Sequence, residues 1–391
     1  MSKLSQYIIK SDHIFTTKIK LTSEDNRRYF NFGDKSNEKK ALISYLSSPF
    51  FDKNKTKLFN PFGVVKEFGN ILDDLGFKVD IINLWDTKFK VEKDYDLFIG
   101  HCNTNFNIIS QQLPSKTLKI LYVNTSSPEY FLKKSKARYE KLFKSGRLNK
   151  KIKINRTSFL DEKTIQESDF IITLGKENIK TFNKEHQNKI SYVDNAVFKE
   201  NPIIKTLKHL EKGRNNFIFL SGSGGNIQKG VDLIIEAFAR MPKKNLFIYC
   251  ELEYEILKAY STELKLPNIK YIYHYRFSRF LRNKLFKKIN FQIGIGILSG
   301  QGTAFIGGMQ LGFIPIMTKE MNFNIFNKNL LIKEENFSAI IETATNISSF
   351  NPKALLNLYE QTLKEQKKIY SVDIFKTKLK SIISSSVKNR L

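Results

Sequence analysis

Short apolar runs, each bounded by turn residues and separated by stretches with helical spacing, fill most of this chain in a series that is interrupted once. Strands that alternate with helices are joined by crossovers, and crossovers place them side by side and parallel. The first runs are 39–50, 78–85, 94–101, 118–125, 167–175 and 189–197. Between the first two, Val64, Val65, Phe68, Ile71, Leu72 and Leu75 recur at helical spacing, with Pro61 opening that helix and Gly76 closing it. A polar connection at 200–215 breaks the pattern, which resumes with runs at 217–225, 245–250, 268–275, 290–298 and 313–318. A helix over 231–241 carries Leu233, Ile234, Ala237 and Phe238 on one face, and the segment 352–384 is again helical. Residues 1–38 read as a polar arm with one short strand. At 391 residues the chain exceeds what one core usually serves. The expectation is therefore an α/β protein of two domains, 1–205 and 206–351, followed by C-terminal helices over 352–391.

The stretch from Ile289 to Thr318 carries no charge, yet it is no membrane span. Gly294, Gly296, Gly300, Gly302, Gly307, Gly308 and Gly312, with three glutamines and Pro315, fit a buried strand–turn–helix–strand instead. The N-terminus lacks the apolar core of a signal peptide, so a soluble, cytoplasmic chain is expected. Cys102 and Cys250 sit far apart and match no metal or redox spacing. The formal charge of +27, from 65 Lys and Arg against 38 Asp and Glu, implies attraction to an anionic partner without choosing one.

Two segments carry chemistry. In the first, a strand runs into Ser221, Gly222, Ser223, Gly224 and Gly225, and a helix begins at Gly230, directly after Lys229. Glycines let a ligand approach the backbone, helix-start amides favour an anion, and Lys229 stands where a cation can reach a diphosphate. The bland alternative is a tight strand–helix turn. In the second segment, Ser299, Gly300, Gln301, Gly302 and Thr303 form a turn before another helix, offering amides and one hydroxyl to a phosphate. Here the alternative is close helix packing through Gly307 and Gly308.

Together the two segments, strand–GG–x3–KGxDxxxEAF and SGxGxxxxxGMxxGxIPI, resemble the donor-binding domain of retaining GT-B glycosyltransferases of the GT4 kind. The resemblance covers about residues 215–320 well and the N-terminal half loosely. It implies two Rossmann-like domains with a cleft between them, acceptor-side in 1–205 and nucleotide-sugar-binding in 206–351, and a C-terminal helix crossing back. The implied donor is a UDP- or GDP-sugar, its diphosphate held by Lys229 and by Ser223, Gly224, Gly225, Ser299, Gly300, Gln301, Gly302 and Thr303. No cofactor or metal is implied. Retention without a protein nucleophile implies front-side attack, with the leaving diphosphate as base and the protein neutralising its charge. The chain departs from the family at three places. Gly224 stands where a cation is usual, Ser299 and Gly307 where paired glutamates are usual, and Ser126 and Ser127 where the N-terminal domain often has a histidine. A catalytically inactive GT-B protein acting as a binding or scaffold partner is the alternative.

His101 ends a strand and is the N-terminal candidate for the reacting site, and His274 is the candidate bordering the base. For both, a structural histidine is the competing reading. Two basic runs, 129–156 with 11 Lys or Arg against two Glu and 276–288 with six basic residues, interleave cations with apolar side chains. Such patches suit an anionic membrane surface, and the acceptor expected there is a glycan or a lipid-linked glycan, with the protein peripheral on the inner face of the plasma membrane. Nucleic acid ranks last, because no recognised binding module is present.

Overall fold

A computed structural model describes residues 27–34, 36–51, 60–148, 162–198, 202–221, 225–272, 279–297, 300–388 and 390. Its strands are β1 Tyr29–Phe32, β2 Lys39–Tyr45, β3 Phe77–Asn83, β4 Leu97–His101, β5 Leu118–Val123, β6 Phe170–Leu174, β7 Ile190–Val193, β8 Asn216–Leu220, β9 Asn245–Tyr249, β10 Ile269–Ile272, β11 Phe291–Gly294, β12 Ile314–Thr318 and β13 Leu331–Ile332. They form a seven-stranded sheet of order β1-β3-β2-β4-β5-β6-β7 and a six-stranded sheet of order β10-β9-β8-β11-β12-β13. In the second sheet every neighbouring pair is parallel. In the first, β2 pairs parallel with β3 and β4, while β1 joins the edge antiparallel to β3. The α/β expectation and the restart after residue 215 are met.

Helices of eight residues or more are α1 Asn60–Asp74, α2 Pro128–Lys144, α3 Val231–Ala239, α4 Arg279–Phe286, α5 Thr303–Gln310, α6 Phe337–Ser348, α7 Pro352–Ile369 and α8 Val372–Lys388. The chain divides into two compact units that interleave along the sequence. One holds Met1–Tyr122, Phe159–Ile171 and Lys380–Leu391, and the other Val123–Ser158 and Ile172–Leu379. The chain's end thus belongs with the N-terminal strands, where Lys380 pairs with Asp74 at 2.7 Å and Arg390 with Asp169 at 2.5 Å. Both pairs are solvent-exposed, so each contributes little by itself.

The core of the second unit explains α3 and α2. Phe217 and Phe219 of β8, Leu246 and Ile248 of β9, and Phe291 and Ile293 of β11 pack with Val231, Ile234 and Phe238 of α3. Burying each such side chain stabilises the fold by about 1.5–3 kcal/mol. Helix α2 overlaps the first part of the first basic run and begins with Ser127 as its cap and Pro128 in its first turn. It joins the same core through Tyr139 and Leu142, while Lys133, Lys134, Lys136, Lys141 and Lys144 are exposed. Arg138 is buried, and so is not one of the run's surface cations. Residues 149–161 of that run lie outside the described residues, as do the side chains of 279–282 in the second run. Among the described residues no helix is long and apolar enough to cross a membrane.

Candidate functional site

The order of the second sheet places its ligand crevice. From β8 the chain proceeds to β9 and β10 on one side, then returns to β11 and β12 on the other. Such a reversal opens a crevice outside the carboxyl ends of the two strands where it occurs, here β8 and β11. The residues that follow β8 are the first glycine segment, and those that follow β11 are the second. Two segments some seventy residues apart in sequence therefore follow two neighbouring strands of one sheet. Ser223, Gly224, His274 and Ser299 lie outside the described residues; Gly225, Lys229, Gly300, Gln301, Gly302 and Thr303 are described.

In the first segment one of the chain's own carboxylates holds two amides. Glu253, in the loop after β9, accepts from Gly225 N at 2.9 Å and from Asn226 N at 3.3 Å. Asn226 returns the contact, accepting from Glu253 N at 2.7 Å through its side-chain oxygen and donating to the Glu251 carbonyl at 3.2 Å. Gly230 caps α3 in the left-handed region at φ 75°. A Cβ there would lie 2.6 Å from the Cβ of Ile295, just past β11, so only glycine fits. Asp232 in the first turn of α3 is buried; desolvation raises its pKa, and Arg138 opposes that rise. Lys229, half-buried, lies near enough to Cys250 for its charge to offset the burial that pushes the thiol up to about 12.

The second segment is pinned by glutamine. Gln301 accepts from Asn195 N at 2.7 Å and donates to Asp194 Oδ1 at 3.0 Å and to the Asn322 carbonyl at 2.8 Å. Asn195 Nδ2 donates to the Gln301 carbonyl at 2.7 Å and to Thr303 Oγ1 at 3.3 Å. The Gln301 side chain is thus spent on the protein, and what residue 301 offers a ligand is backbone. Gly302 caps α5 with no side-chain cap, and no described atom lies within 4 Å of where its Cβ would be. Gly300 and Gly308 instead answer to packing. A Cβ on Gly300 would lie 1.8 Å from the Asn124 carbonyl oxygen, and one on Gly308 1.9 Å from Gln292 Oε1. Sequence reasoning missed Glu253, Asn195 and Arg138, because each reaches the crevice from a distant element and carries no local motif.

His101 occupies the corresponding place in the first sheet. The chain leaves β2 for β3 on one side and returns at β4 on the other, and His101 ends β4. Its ring stacks on Tyr45 at the end of β2, with centroids 4.7 Å apart and planes 5° from parallel, and meets Tyr122 edge-on at 6.1 Å. Desolvation among these rings lowers its pKa from the ordinary 6.5 to about 4. The folded protein therefore binds the proton more weakly than the unfolded chain. His101's contribution is complete above pH 6.5 and is lost as pH falls toward 4, a loss of about 3 kcal/mol at most. Urea unfolding of the parent should weaken across that window, and His101→Phe, which keeps the stack without the titration, should weaken less. Equal pH profiles for the two proteins would show that His101 is solvated.

Searched against protein-family models the sequence matches none, and it matches no curated protein. Solved structures do match. Sucrose-phosphate synthase from Thermosynechococcus elongatus superposes with a TM-score of 0.60 at 10% identity, over 88% of this chain and 98% of that one. HepE of Anabaena, solved with UDP and glucose, gives 0.55 at 11% identity, over 89% and 99%. TarM gives 0.52 at 14% identity, and this chain covers only 54% of its length. With these the fold is defined: two Rossmann-like domains of the GT-B fold, each with a mainly parallel sheet.

Proposed function

We propose that this chain transfers a sugar from a nucleotide-diphosphate sugar, UDP- or GDP-linked, to a glycan or lipid-linked acceptor. The observation that supports the reading is that β8 and β11, the strands the two glycine segments follow, are neighbours in the sheet, with Lys229 and the starts of α3 and α5 coming after them in the chain. Diphosphate charge there meets one ammonium and the start of α5 at Gly302, which together favour an anion. The chemistry is retaining and needs no resident metal ion, because positioning and charge neutralisation by the protein suffice for front-side attack. UDP or GDP should raise the thermal midpoint by mass action, equally with and without EDTA. No shift with any nucleotide or nucleotide-sugar would remove the donor reading, and a shift abolished by EDTA would remove metal independence.

A second reading, a GT-B binding partner without turnover, draws on Glu253 holding the amides of Gly225 and Asn226 and on the engagement of the Gln301 side chain. Nucleotide binding without transfer or hydrolysis of any donor would favour it.

For the acceptor side we propose peripheral docking on anionic lipid through the exposed lysines of α2. Charge attraction of this kind is screened by salt, so phosphatidylserine vesicles should bind at low and not at high ionic strength. Replacing Lys133, Lys134 and Lys136 together by Gln should reduce that binding severalfold and leave nucleotide affinity unchanged. Equal binding to neutral vesicles would refute the electrostatic account.

A further inference from the structure

In the segment 221–230, Lys229 is the one charged residue, yet a second cation reaches the same turn from α2. Arg138 is 7% exposed, and its Nη1 donates to the Gln228 carbonyl at 3.5 Å, across 90 residues of sequence. From one helical turn earlier, Ser135 Oγ accepts from Gln228 Nε2 at 3.0 Å. Residue 228 is thus held at both its carbonyl and its side chain by one helix. The next contact runs to Gly230, where an added Cβ would lie 2.8 Å from Arg138 Nη2. The guanidinium is therefore seated against the residues on both sides of Lys229. Its acidic neighbours are Glu335, at 3.9 Å, and the buried Asp232. Among the described residues Arg138 Nε and Nη2 make no hydrogen bond. A buried guanidinium so weakly satisfied is costly for folding alone, which points to a use.

We propose that Arg138 is a positioning residue, carried in by α2 to fix the Gln228–Gly230 turn so that Lys229 presents its charge to a nucleoside diphosphate; this rests on the donor reading above. Ser135 is its accessory, holding the Gln228 side chain while Arg138 holds the carbonyl. The function of α2 in this unit is then to brace the anion loop from outside the segment that forms it.

The test is a double-mutant cycle read by titration calorimetry of the full chain with inorganic pyrophosphate and with UDP. Arg138→Gln should weaken both about tenfold and Arg138→Lys should recover part of the loss. Because Arg138 acts through Lys229, the Arg138→Gln, Lys229→Ala double variant should bind no more weakly than Lys229→Ala alone. A purely structural role would lower the thermal midpoint without that coupling. Losses that multiply in the double variant, or Arg138→Gln binding both ligands as the parent does, overturn the proposal alone. Where Arg138→Gln does not fold, the milder Ser135→Ala, expected to cost a few-fold, replaces it in the cycle under the same criterion. A parent that binds neither pyrophosphate nor UDP overturns the donor reading and this inference with it.

Discussion

Lys229→Ala is expected to weaken UDP and GDP binding by about one to two orders of magnitude, because a hydrogen bond to a charged group is worth roughly 1.5–3 kcal/mol. Its surroundings argue for the upper end. Glu253 accepts from the amides of Gly225 and Asn226, so its carboxylate stands beside the loop, and removing the ammonium leaves that negative charge to meet the incoming diphosphate. The empty protein should unfold at nearly the parent's temperature, since a partly solvated lysine contributes little to folding. Equal affinity of parent and variant in calorimetry would show that the diphosphate is not held at this loop.

Gln301→Ala should act on stability, by about 3–5 kcal/mol. The substitution leaves the buried Asn195 N–H without its acceptor and takes one donor from the Asp194 carboxylate and one from the Asn322 carbonyl. Every buried polar group so stranded costs about 1–3 kcal/mol. Lys378 still pairs with Asp194 at 2.6 Å, which keeps that carboxylate from being fully orphaned and holds the total below a simple sum. Chemical denaturation of parent and variant measures the difference. A loss under about 1 kcal/mol would mean that water replaces the glutamine and that the turn is not pinned as described.

Strands β2 to β12 coincide with the apolar runs, β3 and β8 each starting one residue before theirs, and α1 and α3 lie within two residues of where their periodicity puts them. That information is local: alternation, helical spacing, Pro61, Gly76 and the glycine turns act through neighbours a few residues away. The two-residue β13 carries too few residues to show a period of its own, while β1 is a short strand within 1–38, as expected there. Arg138 illustrates the opposite case. Within a run of lysines it looks like any other cation, and only the seating of α2 against the Gln228–Gly230 turn places it inside while Lys133 and Lys136 stay exposed.

What the sequence alone determined is the class of fold and the two segments able to receive a phosphate, because turn chemistry and periodicity act over a few residues and survive any arrangement of the rest. The tertiary structure decided that β8 and β11 are neighbours and that Glu253 takes the amide of Gly225. It also decided that α2 braces the Lys229 turn across 90 residues and that the last residues of the chain belong with the first strands. Those outcomes depend on strand order and helix docking. Both are set by the burial of whole faces against one another, and no single stretch of sequence records them.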